Sequence, residues 1–199
     1  SSANARSRSL SISSSFVSML FFCNFARSYI FLVISPHKFP KNMDILLLTV
    51  GKTTQQYVQS GIDEYIKRLR RYIPYKIECI ADIKGSKALT ADIIKEKEGE
   101  QILSNLSPSD FCILLDEHGK EFTSMQFAGH LQKIMSSGRK RAVFIVGGPY
   151  GFSQAVYARA DQMLSLSKMT FTHEMIRLFF TEQVYRAMTI LRGEPYHHE

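Results

Sequence analysis

Four stretches of this 199-residue chain set polar groups or bare backbone where chemistry can be positioned. The first is Gly147-Gly148-Pro149-Tyr150-Gly151, which follows the apolar run Ala142–Val146. Three glycines in five residues let backbone pass close to a ligand and adopt positive φ. The segment is neither a GxGxxG fingerprint nor a phosphate-cradling GxxxxGK[ST] loop. A glycine-rich turn between strand and helix also serves as mere punctuation, and spacing alone does not separate the two. The second stretch, Leu166-Ser167-Lys168-Met169-Thr170-Phe171, carries hydroxyls and backbone amides flanked by apolar side chains. Such a surface suits an adenine ring; the plain alternative is a connection in which Thr172 caps the next helix. The third, Leu114-Leu115-Asp116-Glu117-His118-Gly119, ends an apolar run with two acids and a histidine: an acid–base group, or the commoner polar turn. The fourth is the end Pro195-Tyr196-His197-His198-Glu199. Adjacent histidines on a tail lack the spacing of a rigid metal site, so no metal is expected. A frayed terminus and a tail packed into an active site remain the two readings.

These stretches need a scaffold, and the apolar periodicity from residue 43 onward provides one. Ile45–Val50 is a continuous apolar run stopped by Gly51, as expected of a strand covered on both faces. Gln55–Arg71 places Val58, Ile62, Tyr65, Ile66 and Leu69 at helical spacing. Lys76–Ala81 reads as a second strand, and Lys84–Ala88 as a basic loop. Thr90 caps a helix running to about Leu106, and Ser107-Pro108 breaks it. Phe111–Leu115 is a third strand; Thr123 with Gln126 forms a capping box for a third helix. Ala142–Val146 is a fourth strand, Ser153 opens a short helix, and Met163–Leu166 is a fifth strand. Thr172–Leu191 is a long, heavily apolar last helix closed by Gly193 and Pro195, wide enough in its apolar face for core and a dimer interface alike. The alternation predicts an α/β fold, a mostly parallel sheet with helices on both faces. Ligands in such sheets bind beyond the carboxyl ends of the strands, where the first three stretches fall.

Composition adds bounds. The chain is long enough for one α/β domain and hardly for two. Its net charge of +7 is misleading as a nucleic-acid signal. Residues 1–42 hold Arg6, Arg8, Arg27, Lys38 and Lys41 and no acid; taking those five from 25 leaves 20 basic against 18 acidic residues in 43–199. An RNA footprint must therefore come from local patches. Phe16–Ile34 is apolar but broken by Asn24, Arg27 and Ser28, which suits neither a signal peptide nor a membrane span. Position 1 is not Met, whereas Met43 directly precedes a strong strand. Residues 1–42 therefore read as a non-native or targeting-like, disordered extension, and 43–199 as the functional domain. Cys23, Cys79 and Cys112 make neither a disulfide framework nor a metal pattern. Cys79 and Cys112, within strands, are expected to be buried thiols.

Taken in order, Met43–Gly51 (MDILLLTVG), Lys97-Glu98-Gly99-Glu100, Gly147–Gly151 (GGPYG), Leu164–Phe171 (LSLSKMTF), Glu182–Ala187 (EQVYRA) and Pro195–Glu199 (PYHHE) resemble the ribosomal RNA large subunit methyltransferase H family of the SPOUT superfamily. The resemblance covers all of 43–199. It implies a C-terminal trefoil knot that forms the cofactor pocket, which pattern reading does not predict because knots are nearly absent among folds. It implies S-adenosylmethionine bound at Leu115, at Gly147 and at Leu166, Ser167, Lys168, Met169, Thr170 and Phe171. The implied reaction is methylation of N3 of a pseudouridine in 23S ribosomal RNA, within the assembled ribosome, by a cytoplasmic homodimer without stable membrane association. Tyr196 and His197 are the implied groups at the target base, and Arg192 and His198 the implied RNA contacts. The chain departs from the family at Tyr150, where many members carry an acid or Asn, and at His198, where some carry Arg. The competing reading is a non-catalytic RNA- or nucleotide-binding α/β module.

Overall fold

The computed structural model describes residues 43–83 and 88–197, so the extension 1–42, most of the basic loop Lys84–Ala88, and His198 and Glu199 lie outside the described residues. Five strands form one sheet: β1 (Asp44–Val50), β2 (Tyr75–Ile80), β3 (Phe111–Glu121), β4 (Arg141–Val146) and β5 (Gln162–Ser165). Their order is β2-β1-β4-β3-β5, and every neighbouring pair is parallel. The helices are α1 (Gln56–Leu69), α2 (Ala91–Ser104), α3 (Ser124–Met135), α4 (Gln154–Arg159) and α5 (Met175–Leu191). This is the α/β architecture expected from the alternation of apolar runs.

The continuous apolar strands follow from two covered faces. Side chains alternate across a strand, so Ile45, Leu47, Phe144 and Val146 enter one core with α1, α3 and α5. Leu46, Leu48, Val143 and Ile145 enter a second core with α2 and α4. Phe180 of α5 packs on Phe144 with ring centroids 4.6 Å apart, which places the last helix beneath the middle of the sheet. Local capping follows the residue types: Thr90 accepts from the Ile93 amide, and Thr123 with Gln126 forms a complete capping box. The helix expected from Thr172 starts at Met175, but the Thr172 hydroxyl does accept from the Met175 amide.

Two readings are corrected. Cys79 is exposed, on a strand that lies at the edge of the sheet. Of these two cysteines only Cys112 is buried, and burial pushes its thiol up to about 11. The strand expected to stop at Leu115 continues to Glu121 after an irregular excursion over Asp116–Gly119; β5 pairs Leu164 with Leu115 and again with Lys120. Gly119 is required there, since a Cβ would stand 2.5 Å from the Leu164 backbone.

The amino ends of the strands are tied by buried Asp110. Its carboxylate accepts from Arg141 Nε at 2.8 Å and from the Ser107 amide at 2.7 Å. Burial opposes the charge, but these bonds outweigh it and hold the carboxyl below the ordinary aspartate range. Asp110→Ala is expected to cost about 2 kcal/mol at neutral pH, the scale of a hydrogen bond to a charged group. With the folded value depressed, that stabilisation is complete above the ordinary value near 4 and is lost as pH falls through the folded one. Melting curves from pH 7 to pH 3 should therefore show the variant's deficit shrinking with acid, and a constant deficit would refute the account.

Candidate active site

The last leg of the chain builds the site. From β5 at the sheet edge it returns across the carboxyl ends of β3 and β4 to reach α5 beneath β1 and β4. The crossing closes a cavity of about 780 Å³, within the usual range for small-molecule sites. Its walls come from the excursion Leu115–His118, the turn Val146–Phe152, and the crossing segment Leu164–Ser167 and Met169–His173, with Lys95, Gln154, Tyr157 and Ile176. Three loops far apart in sequence thus meet at one place.

Leu115, Gly147, Leu166, Ser167, Met169, Thr170 and Phe171 all line this cavity. Lys168, between Ser167 and Met169, is exposed and does not line it. The Ser167 hydroxyl accepts from the Met169 amide at 2.9 Å, while the Ser165 hydroxyl donates to the Ser167 carbonyl at 3.0 Å. These bonds hold the segment's turn, and Phe171 leans on Phe179 with centroids 4.9 Å apart. In the glycine-rich turn Gly151 adopts φ +81, and its amide donates to the Gly148 carbonyl at 3.1 Å. A Cβ at Gly147 would meet the Phe152 ring at 3.1 Å. One at Gly148 would stand 2.4 Å from the Glu98 carboxylate.

Glu98 shows what the Lys97–Glu100 motif does locally. It is a buried carboxyl on α2, pressed behind the glycine-rich turn, and burial followed by the charge of Asp82 raises its pKa. Gly99 beside it lets α2 approach Ser153, whose hydroxyl would lie 2.3 Å from any Cβ there. The motif is thus a docking face for the turn.

Asp116 is anchored rather than free. Its carboxylate accepts from the Tyr157 hydroxyl at 2.7 Å and the His118 amide at 2.8 Å, and stands 2.9 Å from His118 Nδ1. Burial opposes its charge, and those bonds outweigh burial and lower its pKa. The same burial, with the bond to Asp116, pushes the Tyr157 phenol up to about 12. At neutral pH the cavity therefore carries a fixed negative charge on one wall. Sequence reading passed over Tyr157 and Lys95; Tyr157, four residues after the Ser153 helix start and on the helix flank, offered only position as a signal.

The tail lies elsewhere. The Tyr196 ring packs on Tyr185 with centroids 4.8 Å apart, and its hydroxyl donates to Glu182 Oε1 at 3.1 Å. Burial, then the Tyr65 hydroxyl and Glu182, raise its pKa, so the phenol keeps its proton. Arg186 donates to His197 Nδ1 at 3.2 Å. The Arg192 guanidinium lies 4.5 Å over the Tyr72 ring and donates to the Arg71 carbonyl at 3.1 Å. None of these three residues lines the cavity. Ile176 and the tail stand at opposite ends of α5, whose 17 residues span about 25 Å. The structure does not bring Tyr196 or His197 to the cavity of this chain.

Residues 43–197 match the model of the family described as predicted SPOUT methyltransferase. The chain is 59% identical over 157 residues to the ribosomal RNA large subunit methyltransferase H of Parabacteroides distasonis, covering 79% of this chain and 100% of that protein. Its namesake in Flavobacterium johnsoniae is 55% identical over 157 residues, with the same coverage of both. The namesake in Christiangramia forsetii is 54% identical over 156 residues, 78% of this chain and 99% of that protein.

Proposed function

The chain belongs to the ribosomal RNA large subunit methyltransferase H family of SPOUT methyltransferases, and from that membership and the cavity's geometry we propose that it methylates N3 of a pseudouridine in 23S ribosomal RNA with S-adenosylmethionine. One observation carries the reading: seven of the eight positions expected to hold the cofactor, drawn from three separate loops, line one cavity at the carboxyl ends of β3, β4 and β5. The knot expected of the superfamily has its counterpart in the crossing of the last leg over β3 and β4.

The cavity suits the cofactor. Leu115, Val146, Leu166 and Ile176 offer apolar contact for an adenine, and the exposed backbone of the glycine-rich turn and of Ser167–Phe171 offers hydrogen bonds. The ionised Asp116 suits a ligand bearing a positive sulfonium. When bound, S-adenosylmethionine supplies a methyl group on an already electrophilic sulfonium. What this chain's residues must add is alignment of the two reactants and removal of the N3 proton. The target base must be unstacked to enter. Tyr196 and His197 are the groups that meet the target base. Each exchanges its bond within this chain, Tyr196 to Glu182 and His197 Nδ1 to Arg186, for the base. Tyr196 then donates to a base carbonyl and the freed Nδ1 accepts the N3 proton, while Arg192 and His198 hold the RNA backbone. No metal enters this scheme. Since α5 separates tail and cavity within one chain, the tail serves the cavity of a second copy in a homodimer.

A labelled-methyl assay tests the reading. The protein should move tritium from S-adenosylmethionine into large ribosomal subunits that lack this methylation, in the compartment of assembled ribosomes, the cytoplasm. Cofactor binding with no transfer to any ribosomal RNA would instead establish a non-catalytic binding module. The relatives align over 156 or 157 residues and 99–100% of their own length, which supports 43–199 as the functional unit. A chain beginning at Met43 should keep both melting temperature and methyl transfer. Loss of soluble protein on that truncation would give residues 1–42 a structural role.

A further inference from the structure

The domain's small positive excess is concentrated rather than spread. At the carboxyl end of α1, Lys67, Arg68, Arg70 and Arg71 are exposed, and Arg192 stands beside them from the end of α5. The acids bonded within this group are Glu64 and Glu194. Five cations against two acids exceed the net +2 of all of 43–199, so the remainder of the domain is slightly negative.

Favourable placement of cations at a helix carboxyl end accounts for one or two of these residues. It does not account for how their heads are held. Arg68 lies 5.5 Å over Tyr65 and 5.7 Å over Tyr185; Arg71 lies 5.0 Å and Arg192 4.5 Å over Tyr72. The rings themselves are joined, Tyr185 touching Tyr65 and Tyr72 at 5.8 Å and Tyr196 at 4.8 Å. A guanidinium laid on a ring keeps its edge N–H groups directed outward and loses little further freedom on binding an anion. The ladder runs without a break into the tail through Tyr196 and through Arg186 beside His197.

We propose that this arginine–tyrosine face is the docking surface for the phosphate backbone of the RNA substrate, delivering the target base to the tail and, across the dimer, to the partner's cavity. The inference rests on the methyltransferase reading above, and its test is separable from it. Arg70→Gln/Arg71→Gln is compared with wild type and with Arg70→Lys/Arg71→Lys, using unmethylated large subunits as substrate over a range of salt. The Gln variant should raise the KM for subunits roughly tenfold near physiological salt and flatten its log–log salt slope by about two, one for each phosphate left without its cation. Its kcat and its affinity for S-adenosylmethionine should stay unchanged, and the Lys variant should retain most of the slope. An unchanged KM and slope would overturn the proposal. So would a Gln variant that falls to monomers by light scattering, because the face would then be a subunit contact. If wild type transfers no methyl group at all, the function reading fails. Filter retention of protein-free 23S rRNA then still decides for the face, since the Gln variant must bind with the shallower slope.

Discussion

Deleting residues 196–199 is expected to leave the affinity for S-adenosylmethionine within about twofold of wild type while methyl transfer falls by roughly 10²–10⁴-fold, the usual contribution of a positioned acid–base group. The separation follows from the fold. Tyr196 and His197 touch Tyr185, Glu182 and Arg186 at the far end of α5, and no cavity wall includes them. A cofactor bound among the loops at the carboxyl ends of β3, β4 and β5 therefore keeps every contact with the chain that forms its cavity when the tail is removed. The substrate loses the groups proposed to hold the base and take its proton. A dimer joined by a peptide tether, with the tail deleted from one copy and the cavity damaged in the same copy, tests the trans arrangement. The intact copy's cavity would then lack a tail and the intact tail would meet a damaged cavity, so turnover should vanish. Full turnover at one site would mean that each tail serves its own subunit.

The damaging lesion for that experiment is the second large effect. Gly147→Val places its first extra carbon 3.1 Å from the Phe152 ring and 3.3 Å from the Gly151 carbonyl. Phe152 is part of the core beneath the turn, so the ring gives way only at the cost of overpacking, about 1–3 kcal/mol. Relief is easier outward, by displacing the glycine-rich turn into the cavity it lines. Cofactor affinity should fall at least tenfold, about 1.4 kcal/mol, with a modest loss of melting temperature. Calorimetry on a folded variant decides it, and unchanged affinity would remove Gly147 from the site. Gly148→Val should behave differently: its Cβ would collide with the buried Glu98 carboxylate, so there the fold suffers before the ligand does.

Most of the scaffold was legible in the residues. Doubly covered strands such as Ile45–Val50 announce themselves as unbroken apolar runs, and the Thr123–Gln126 capping box is a local signal with a local cause. Cys79 misled because an apolar strand pattern does not say which strand lies at the edge; only the order β2-β1-β4-β3-β5 does. The strand stop at Leu115 misled in a similar way. Asp116–Gly119 has turn chemistry, but the resumption of β3 depends on Leu164 of β5 coming close over Gly119. The three loops were each visible as ambiguous motifs, and their meeting was not, since it depends on the long return from β5 to α5. Asp116 shows the same limit at one side chain: its acid was visible, while the Tyr157 hydroxyl that fixes its charge comes from another element. The tail's distance from the cavity is set by the length of α5, a number the sequence contains but whose consequence appears only once both ends are placed.

The most direct test of the central claim is to locate the methyl group. Large subunits carrying pseudouridine at the unmethylated position, and matched subunits carrying uridine there, are incubated with the protein and S-adenosylmethionine, digested to nucleosides and resolved by mass spectrometry against N3-methylpseudouridine. The account predicts one methyl group per subunit, on N3 of pseudouridine, with little or no transfer to the uridine subunits. A methyl group on another nucleotide, or equal transfer to both substrates, would contradict it.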